Sequence, residues 1–370
     1  MDKVIQYISS LTDNGAETLV KDYATLIDKS KIEPIVLVNY PRDDTANAKL
    51  IKDAGIRVVS VYPTYNFLTK VFDKLFRRWY IPHFINRLIQ KEQPIAMHIH
   101  LANLRYVAPI KEKIKGVRLF YTCHSLPHRH FSGKNQIETS AAKELIASNG
   151  LQMIAINSDM VNELNMLFDI DNTVYIRNGI DFSRFESITE SKEEIRQTLQ
   201  IPNDAYVVGQ VGNFNKNKNH SFTIRVFEKL VQKREDAFLF FVGAGPREAE
   251  LREEIEKLHL TDRFLLLSHR SDIPRLLKAM DVFIFPSKFE GLGIALVEAQ
   301  KMGLRCVSSD RVPSDAIVTA NAISLSLDDS PETWANALLD CSLQSEVHGE
   351  LHDYDMNQEI KKLESMYLGH

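Results

Sequence analysis

Cysteine is scarce in this chain, which excludes the scaffolds that depend on it. The 370 residues include 3 cysteines, at Cys123, Cys306 and Cys341. Their odd number and wide spacing fit neither a disulfide framework nor a zinc site, so a reducing compartment is expected. No apolar run approaches the roughly 18 residues of a spanning helix, and no signal peptide is expected. We therefore expect a cytoplasmic protein whose contact with a membrane, where there is one, is at the inner surface.

An excess of basic charge is also missing. The chain has 45 Lys and Arg against 49 Asp and Glu, a formal net charge of −4, so bulk charge gives no reason to expect nucleic acid as a partner. Hydrophobic residues make up 44% and charged residues 25% of the chain, close to the globular average. This composition excludes disordered, collagen-like and coiled-coil chains, and the length suits two domains.

Short apolar runs alternate with amphipathic stretches along nearly the whole chain. This alternation is typical of parallel α/β sheets that are buried on both faces. The predicted strands are 4–8, 35–38, 58–61, 96–100, 117–121, 153–156, 174–176, 206–211, 238–242, 264–267, 282–285 and 305–308. The predicted helices include 16–27, 101–114, 220–231, 248–258, 273–279 and 294–301.

The alternation breaks once, after Asn178 and Gly179, where a polar segment follows. We therefore expect two doubly wound, Rossmann-like domains that face a central cleft, with ligands at the carboxyl ends of the strands. The expected division is a first domain over 1–180, a linker over 181–200 and a second domain over 201–370. The last helix is expected to be able to pack back on the first domain.

The densest chemical signal lies in the second half of the chain. A predicted buried strand ends in a turn with Glu290, Gly291 and Gly293, and the helix that follows carries Glu298. Glycines let a backbone approach a ligand closely, and the N–H groups of a helix start attract an anion. Eight residues of helix span about 12 Å, so the two carboxylates suit opposite ends of one elongated ligand, with a diphosphate between them. Spacing alone would be weak evidence, and the strand–turn–helix context carries the inference.

This segment resembles the signature of two glutamates separated by seven residues in the family-four retaining glycosyltransferases of the GT-B fold, especially bacterial enzymes of exopolysaccharide and capsule synthesis. The resemblance extends over essentially the whole chain. It implies that the first domain binds an acceptor and the second a nucleotide-sugar donor. It implies that Glu290 holds the donor sugar and Glu298 the ribose. The same resemblance assigns further donor contacts to Gly291, Leu292, Gly293 and Ile294.

The family's diphosphate-binding stretch after the first strand of the second domain is matched by Gly212, Asn213 and Lys218. Lys218 falls on the family's phosphate-binding lysine, whereas Asn213 replaces its usual arginine. Arg270 or Lys216 is the expected compensating cation. Without the family context, a solvated basic loop would explain these lysines equally well.

Three further turns match donor contacts of the family. Asn14 and Gly15 follow the first strand, where the family usually has two glycines, and asparagine is expected to supply the positive φ of this turn. Gly243 belongs to a Gly-x-Gly that lacks the third glycine of a dinucleotide loop, and the resemblance implies instead a structural turn that lines the cleft and is able to contact the donor through its backbone. His269 lies where the family's backbone meets the nucleobase, although Ser268 replaces the usual glycine.

Histidines end two predicted strands of the first domain. His98 and His100 are expected to point to opposite faces, with His100 toward the acceptor. His124 matches a family histidine close to the donor sugar, and His128 in the next loop is expected to contact the acceptor. A lone histidine is more often structural, and the convergence of two strand ends raises the functional interpretation to an equal alternative.

No cluster of carboxylates and histidines has the spacing of a metal site. Asp169 and Asp171 form an Asp-x-Asp, the metal motif of the other glycosyltransferase fold, but in this architecture a capped turn is the better interpretation. The resembling family usually needs no metal. Neither a metal nor another cofactor is therefore expected.

A basic amphipathic segment runs from Asn66 to Lys91. It holds six Lys or Arg against one Asp. Large apolar residues interleave with basic ones at helical spacing, namely Phe67, Leu68, Val71, Phe72, Leu75, Phe76 and Trp79 with Lys70, Lys74, Arg77 and Arg78. Such a helix suits an anionic bilayer surface, and an ordinary core-facing helix with a basic rim is an equal alternative.

Together these features predict a glycosyltransferase, either a hexosyl- or an N-acetylhexosaminyltransferase, and the family resemblance implies that it retains the anomeric configuration. It would move a sugar from a nucleotide diphosphate sugar, expected to be a UDP-sugar, to a hydroxyl of a glycan or lipid-linked acceptor. Catalysis is assigned to Glu290, His124 and Lys218, with a leaving phosphate oxygen as proton acceptor. Two alternatives remain: a nucleotide-sugar epimerase of the same fold, which needs no acceptor, and a non-catalytic nucleotide-sugar-binding subunit, suggested by Asn213.

Overall fold

The structure is a computed structural model that describes residues 1–132, 135–268, 270–340, 342, 344, 346–347 and 350–370. Its strands are β1 (Asp2–Ile8), β2 (Ile32–Val38), β3 (Arg57–Ser60), β4 (Ala96–His100), β5 (Arg118–Thr122), β6 (Gln152–Ala155), β7 (Val174–Tyr175), β8 (Tyr206–Val211), β9 (Ala237–Val242), β10 (Phe264–Leu267), β11 (Val282–Phe285), β12 (Arg305–Ser309) and β13 (Ala322–Leu325).

The α-helices are α1 (Gly15–Leu26), α2 (Ala46–Asp53), α3 (Phe67–Glu92), α4 (Leu104–Val107), α5 (Pro127–His130), α6 (Gln136–Asn149), α7 (Ser158–Phe168), α8 (Ser183–Glu186), α9 (Lys192–Leu199), α10 (His220–Val231), α11 (Glu248–Lys257), α12 (Ile273–Lys278), α13 (Ile294–Lys301), α14 (Pro331–Leu339) and α15 (Met356–Leu368). Short 3₁₀ helices cover Ala108–Lys113, Thr261–Arg263, Ser314–Ala316 and Leu351–Tyr354.

The first compact unit comprises Met1–Gly179 and Met356–His370. Its strands form a parallel sheet in the order β3-β2-β1-β4-β5-β6-β7, and β1 pairs with β2 along its whole length, from Asp2 opposite Ile32 to Ile8 opposite Val38. Helix α15 belongs to this unit: its apolar side chains pack in one cluster with those of β1 and α1. The last helix of the chain therefore completes the core of the first sheet.

The second compact unit comprises Ile180–Asp355. Its parallel sheet has the order β10-β9-β8-β11-β12-β13. Residues 181–200, expected as a linker, contain α8 and α9, and Ile195 of α9 is fully buried in the core of this unit. The prediction of two doubly wound, Rossmann-like α/β domains is confirmed, because each unit is a parallel sheet with interleaved helices.

One predicted helix is interrupted. The stretch 101–114 forms α4 and then the 3₁₀ helix Ala108–Lys113, in which Pro109 is one of the first two residues. Proline lacks a backbone N–H and clashes with the preceding turn of an α-helix, which disfavours the continuation of α4 through this position. Strand β13 has no counterpart among the predicted strands.

The two halves of α3 differ in burial. Its second half contributes Ile81, Ile85, Leu88 and Ile89 to the core of the first unit. Its first half leaves large apolar side chains 40–78% exposed, namely Phe67, Leu68, Val71, Phe72, Leu75, Phe76 and Trp79. A core-facing role therefore applies only to the second half. No helix in the described part of the chain is long and apolar enough to cross a bilayer.

The two tryptophans give a matched test of this burial pattern. Trp334 of α14 is fully buried, donates from Nε1 to the carbonyl oxygen of Ser326 at 3.0 Å and packs edge-on against Phe222. Trp334→Ala should lower the free energy of unfolding by about 3–5 kcal/mol, because it leaves a cavity. Trp79→Ala should change it by about 0.5 kcal/mol or less, because Trp79 is exposed. Urea unfolding followed by circular dichroism measures both, and equal effects would contradict the exposure of α3.

Candidate functional site

In an open parallel sheet, the loops that follow the strands gather at one edge, and ligands bind where the strand order reverses. In the second sheet that switch point lies between β8 and β11, because β9 and β10 continue on one side of β8 and β11 to β13 on the other. The loops after these two strands carry the chemical signals of the sequence. We call 212–219 the β8 loop and 286–293 the β11 loop.

The β8 loop and the β11 loop are tied together. Asn217 donates from Nδ2 to the carbonyl oxygen of Phe289 at 2.5 Å, and the backbone N–H of Lys288 donates to the carbonyl oxygen of Asn217 at 2.8 Å. Lys218 donates from Nζ to Oε1 of Glu290 at 2.6 Å. The predicted catalytic residues Lys218 and Glu290 therefore form an ion pair at the switch point.

This ion pair is largely shielded from solvent. The side chains of Lys218 and Glu290 are 17% and 12% exposed, and Nζ lies 4.7 Å from the centroid of the Phe285 ring. An ion pair in such surroundings interacts more strongly than one on the open surface. A cation beside a carboxylate offers a donor to an anionic group and an acceptor to hydroxyls, so the pair suits a ligand that carries both.

The turn before α10 positions the lysine. Oδ1 of Asn215 accepts from the backbone N–H groups of Asn217 and Lys218 at 2.9 and 3.0 Å, which forms an Asx turn. Asn219 then adopts φ 57 at the N-cap of α10, and Nε2 of Gln210 donates to the carbonyl oxygen of Lys218 at 2.7 Å. Sequence reasoning missed these asparagines, although three of them at alternate positions before a helix are a recognisable turn signal.

Gly243 allows a close approach between two loops. A Cβ at Gly243 would lie 2.0 Å from the carbonyl oxygen of Gly212, so a larger residue does not fit where the loop after β9 meets the β8 loop. The N–H of Phe214 donates to the carbonyl oxygen of Ala244 at 2.9 Å across the same contact. Gly212 lies beside the aliphatic part of Lys218, because a Cβ added at Gly212 would lie 3.1 Å from Cδ of Lys218. Direct donor contacts of these glycines stay a prediction.

The β11 loop ends at the start of a helix. Gly293 is the N-cap of α13 with φ 91, a left-handed conformation that favours glycine, and Ile294 is the first helical residue. Gly291 lies in the turn, Leu292 is buried, and Glu298 in the second turn of α13 is 9% exposed. A helix start of this kind presents backbone N–H groups that can bind an anion.

The other residues predicted at the donor site are paired with a neighbouring carboxylate, exposed, or outside the described residues. Arg270 forms a two-point ion pair with Asp272, with a distance of 2.7 Å from Nε to Oδ1, so a neighbouring carboxylate already opposes its charge. Asn213 and Lys216 are exposed on the β8 loop. His269 lies outside the described residues.

Asn14 and Gly15 follow β1 at the carboxyl edge of the first sheet. Asn14 is the N-cap of α1 with φ −94 and ψ 170, so the positive φ expected of it is wrong: an extended N-cap conformation serves the turn. Its Nδ2 donates to Oγ1 of Thr12 at 2.7 Å. A Cβ added at Gly15 would meet nothing within 4 Å, so space is open beside the start of α1.

His98 and His100 point to the same face of β4, with ring centroids 4.2 Å apart. The expectation of opposite faces is wrong because side chains alternate along a strand, and residues two apart share a face. His100 is fully buried and bonds through Nδ1 to Nε2 of His124 at 3.0 Å and through Nε2 to Oε1 of Gln6 at 3.0 Å. His100 therefore does not reach an acceptor directly, and His124 is the partly exposed member of the pair.

His128 stands apart from these histidines. It is exposed, and its Nδ1 lies 2.7 Å from Oε1 of Glu163. Asp169 of the Asp-x-Asp adopts φ 55 at the C-cap of α7, as a capped turn would. Among the described residues no group of three His, Cys, Asp or Glu is arranged to hold a metal ion.

Comparison with known proteins gives the family. Residues 13–184 match the model of Glycosyltransferase Family 4, and residues 191–354 match that of the glycosyl transferases group 1. The chain is 27% identical to the glycosyltransferase EpsF of Bacillus subtilis over 91% of this chain and 86% of EpsF. It is 31% identical to the capsular polysaccharide glycosyltransferase CapM of Staphylococcus aureus over 36% of this chain and 35% of CapM.

Solved structures agree in fold. HepE of Anabaena, in complex with UDP and glucose, superposes with a TM-score of 0.79 at 19% identity over 100% of both chains. WaaG, a glycosyltransferase of lipopolysaccharide biosynthesis, has a TM-score of 0.73 at 15% identity over 99% of this chain and 100% of WaaG. Fold and family matches together define an enzyme of the glycosyltransferase class. The chain belongs to glycosyltransferase family 4 and has its two-domain GT-B fold.

His220, which sequence reasoning did not single out, lies at the start of α10 directly after the β8 loop. It is fully buried against Phe214 and Phe241, and neither ring nitrogen has a hydrogen-bond partner among the described residues. Burial, with a smaller effect of Lys218 and Arg247, lowers the pKa of His220 from 6.5 to about 3. The ring is therefore neutral in the folded protein at ordinary pH.

We expect His220 to make the protein sensitive to acid. Because its pKa is lower in the folded than in the unfolded chain, its contribution is complete above about pH 6.5 and is lost as the pH falls toward 3. The slope is at most about 1.4 kcal/mol per pH unit. His220→Leu should lower the slope of stability against pH, measured by urea unfolding between pH 4 and 7, by up to this amount, although the buried His98, His100 and His124 keep their own contributions, whereas exposed His352→Leu should leave the slope unchanged. Equal slopes in both variants would contradict a neutral buried ring.

Proposed function

We propose that this glycosyltransferase transfers a sugar from a UDP-sugar, with retention of anomeric configuration, to a glycan or lipid-linked acceptor in bacterial cell-surface polysaccharide synthesis. The observation that carries the proposal is the shielded Lys218–Glu290 ion pair, 2.6 Å between Nζ and Oε1, at the switch point of the second sheet. A nucleotide sugar has the matching chemistry, because it joins an anionic diphosphate to a hydroxyl-rich ring.

In the proposed reaction the bond between the anomeric carbon and a diphosphate oxygen breaks, and a bond from the acceptor oxygen to the same carbon forms. Negative charge then grows on the leaving diphosphate. Lys218 and the start of α13 would stabilise that charge, and Glu290 would hold hydroxyls of the sugar. A phosphate oxygen of the leaving group would take the acceptor's proton. His124 would contact the donor sugar, and Glu298 the ribose.

Relatives support this choice of substrates. HepE is described in complexes with UDP, UDP-glucose and glucose, which supports a UDP-sugar donor here. A galactosyltransferase of Escherichia coli, 26% identical over 60% of this chain, is named for UDP-Gal and a diphosphoundecaprenol-linked GlcNAc acceptor. CapM, named for capsular polysaccharide biosynthesis, and LpsB of Rhizobium meliloti, named for lipopolysaccharide core biosynthesis, support a place in surface polysaccharide synthesis.

Calorimetric titration with UDP and with uridine tests the donor site. Lys218→Ala should weaken UDP binding by about 1.5–3 kcal/mol, the worth of a hydrogen bond to a charged group, and leave uridine binding nearly unchanged. Glu298→Ala should weaken both ligands alike, because both carry the ribose. Lys257→Ala, exposed on α11 and outside both loops, is the matched control, and Lys216→Ala tests whether Lys216 compensates for Asn213. An equal loss of UDP affinity in Lys257→Ala and Lys218→Ala would indicate general charge instead of a phosphate site.

The Lys218–Glu290 ion pair leads to a second prediction for the same titration. Glu290 opposes the charge of Lys218, so Glu290→Gln should raise UDP affinity while it lowers sugar transfer.

Incubation of the unmutated protein with donor alone separates the alternatives: an isomerised sugar would indicate an epimerase, and tight UDP binding without any transfer would indicate a binding subunit.

We also propose a peripheral membrane contact through the first half of α3. Its exposed apolar side chains lie on the same half-helix as four exposed basic residues, Lys70, Lys74, Arg77 and Arg78. Aromatic and aliphatic side chains enter the interface of a bilayer, and each Lys or Arg adds about 1 kcal/mol at an anionic surface. This arrangement suits the inner face of the cell membrane, where a lipid-linked acceptor would be reached.

Trp79 can report this contact. In Trp334→Phe it is the single tryptophan left, and it is 67% exposed. Anionic vesicles should shift its emission to shorter wavelength and sediment the protein, with a smaller effect at physiological salt because charge is screened. Glutamate at positions 70, 74, 77 and 78 should abolish both effects and leave UDP binding intact.

The control replaces four exposed lysines outside α3, Lys49, Lys52, Lys113 and Lys115, with glutamate, which changes the net charge equally. This variant should still bind vesicles. Protein that stays in the supernatant at every lipid composition would show that the exposed half of α3 does not bind membranes.

A further inference from the structure

A chain of hydrogen-bonded side chains runs through the interior of the first unit. Its members, in order, are Thr122, His98, Tyr367, Gln6, His100 and His124, and we call them the histidine chain. Successive bonded atoms are 2.7, 2.5, 2.8, 3.0 and 3.0 Å apart. All members except His124 are no more than 1% exposed. The chain connects α15, β1, β4 and β5 to the carboxyl edge of the sheet.

The three histidines are neutral. Burial lowers the pKa of His98 and His100 well below the ordinary range, and that of His124 to about 3. A neutral imidazole has one N–H and one lone pair. Each ring with two bonded neighbours must therefore donate on one side and accept on the other, so the position of one proton decides that of the next.

The amide of Gln6 sets the direction of these bonds. Its Nε2 donates to Oη of Tyr367, whose O–H is then left to donate to Nδ1 of His98, which places the proton of His98 on Nε2. On the other side Oε1 of Gln6 accepts from Nε2 of His100. Nδ1 of His100 must then accept from Nε2 of His124. All three rings carry the proton on Nε2.

We propose that Gln6 and Tyr367 are positioning residues that act through His100 to hold His124 as its Nε2–H tautomer, with Nδ1 as the acceptor for a hydroxyl of the donor sugar. The contact with the sugar rests on the proposed function, whereas the tautomer does not. No described residue bonds to Nδ1 of His124, and His124 is the partly exposed end of the chain. A ring with a fixed tautomer meets the hydroxyl without first losing freedom, which lowers the cost of binding.

The first test is the tautomer of each histidine in the full chain, read from long-range ¹H–¹⁵N spectra of protein labelled in histidine and assigned by single substitutions. His98, His100 and His124 should all be protonated on Nε2. His130, whose Nε2 bonds to the Tyr121 hydroxyl at 2.7 Å outside the chain, is the internal reference. Protonation of any of the three on Nδ1 in the unmutated protein would overturn the proposal.

The second test interrupts the histidine chain at Tyr367, far from His124. Tyr367→Phe keeps the ring but removes the hydroxyl, so the Gln6 amide loses its acceptor, and His100 and His124 should become mixtures of both tautomers. Tyr354→Phe is the matched control: this tyrosine is 1% exposed, and its hydroxyl donates to the carbonyl oxygen of Asp315 in the second unit. Unchanged tautomers in Tyr367→Phe would reduce Tyr367 to a packing residue and overturn the proposal.

Sugar transfer gives the functional readout. Tyr367→Phe should lower kcat/KM roughly tenfold, the worth of one hydrogen bond, with UDP affinity unchanged, and Tyr354→Phe should leave both unchanged. Altered tautomers with full transfer activity would overturn the contact between His124 and the sugar. If the unmutated protein transfers no sugar, the proposed function fails, while the spectra still decide whether the chain fixes the tautomer.

Discussion

Parallel pairing of the strands is the constraint on which both candidate sites depend. Because a helix returns the chain to the start of each new strand, all strands of a sheet end at one edge, and segments distant in sequence meet there. Lys218 and Glu290 are 72 positions apart, yet they form one ion pair. His100 and His124 are 24 positions apart, yet they share a hydrogen bond. Each site is thus a product of strand order more than of any local motif.

The two units bury polar groups in different ways, and this difference suits different tasks. In the second unit opposite charges compensate each other, and both side chains keep some exposure, so a ligand can compete for either partner. In the first unit the histidines give up charge instead, and their neighbours occupy the ring nitrogens within the protein. In the proposed function a ligand would open the Lys218–Glu290 pair, whereas in the proposed control of the tautomer the histidine chain behind His124 would stay fixed.

The sequence predicted those strands and motifs that depend on residues close together in the chain. Most strands are buried on both faces, so their apolar runs are unbroken and readable, whereas in β13 the exposed Ser324 interrupts the apolar run, and the strand was not predicted. The motifs around Lys218 and Glu290 were readable because glycine turns and helix starts have short-range signatures. The histidine chain was not, because Gln6 and Tyr367 are 361 positions apart, and nothing in either neighbourhood indicates the other. The face of His98 was predicted wrongly. Residues two apart on a strand share a face, so the sequence already placed His98 beside His100.

Helix α3 shows where periodicity stops being informative. A stripe of apolar residues at helical spacing looks the same whether it faces a core or a bilayer, and here one helix contains both cases, with the buried half beginning near Pro82. Fully burying a large apolar side chain contributes about 1.5–3 kcal/mol, a gain that residues such as Phe67 and Trp79 largely forgo. Folding alone gives no reason to keep so many of them in water. A surface that removes them from water in the bound state does, and the neighbouring basic residues favour an anionic one.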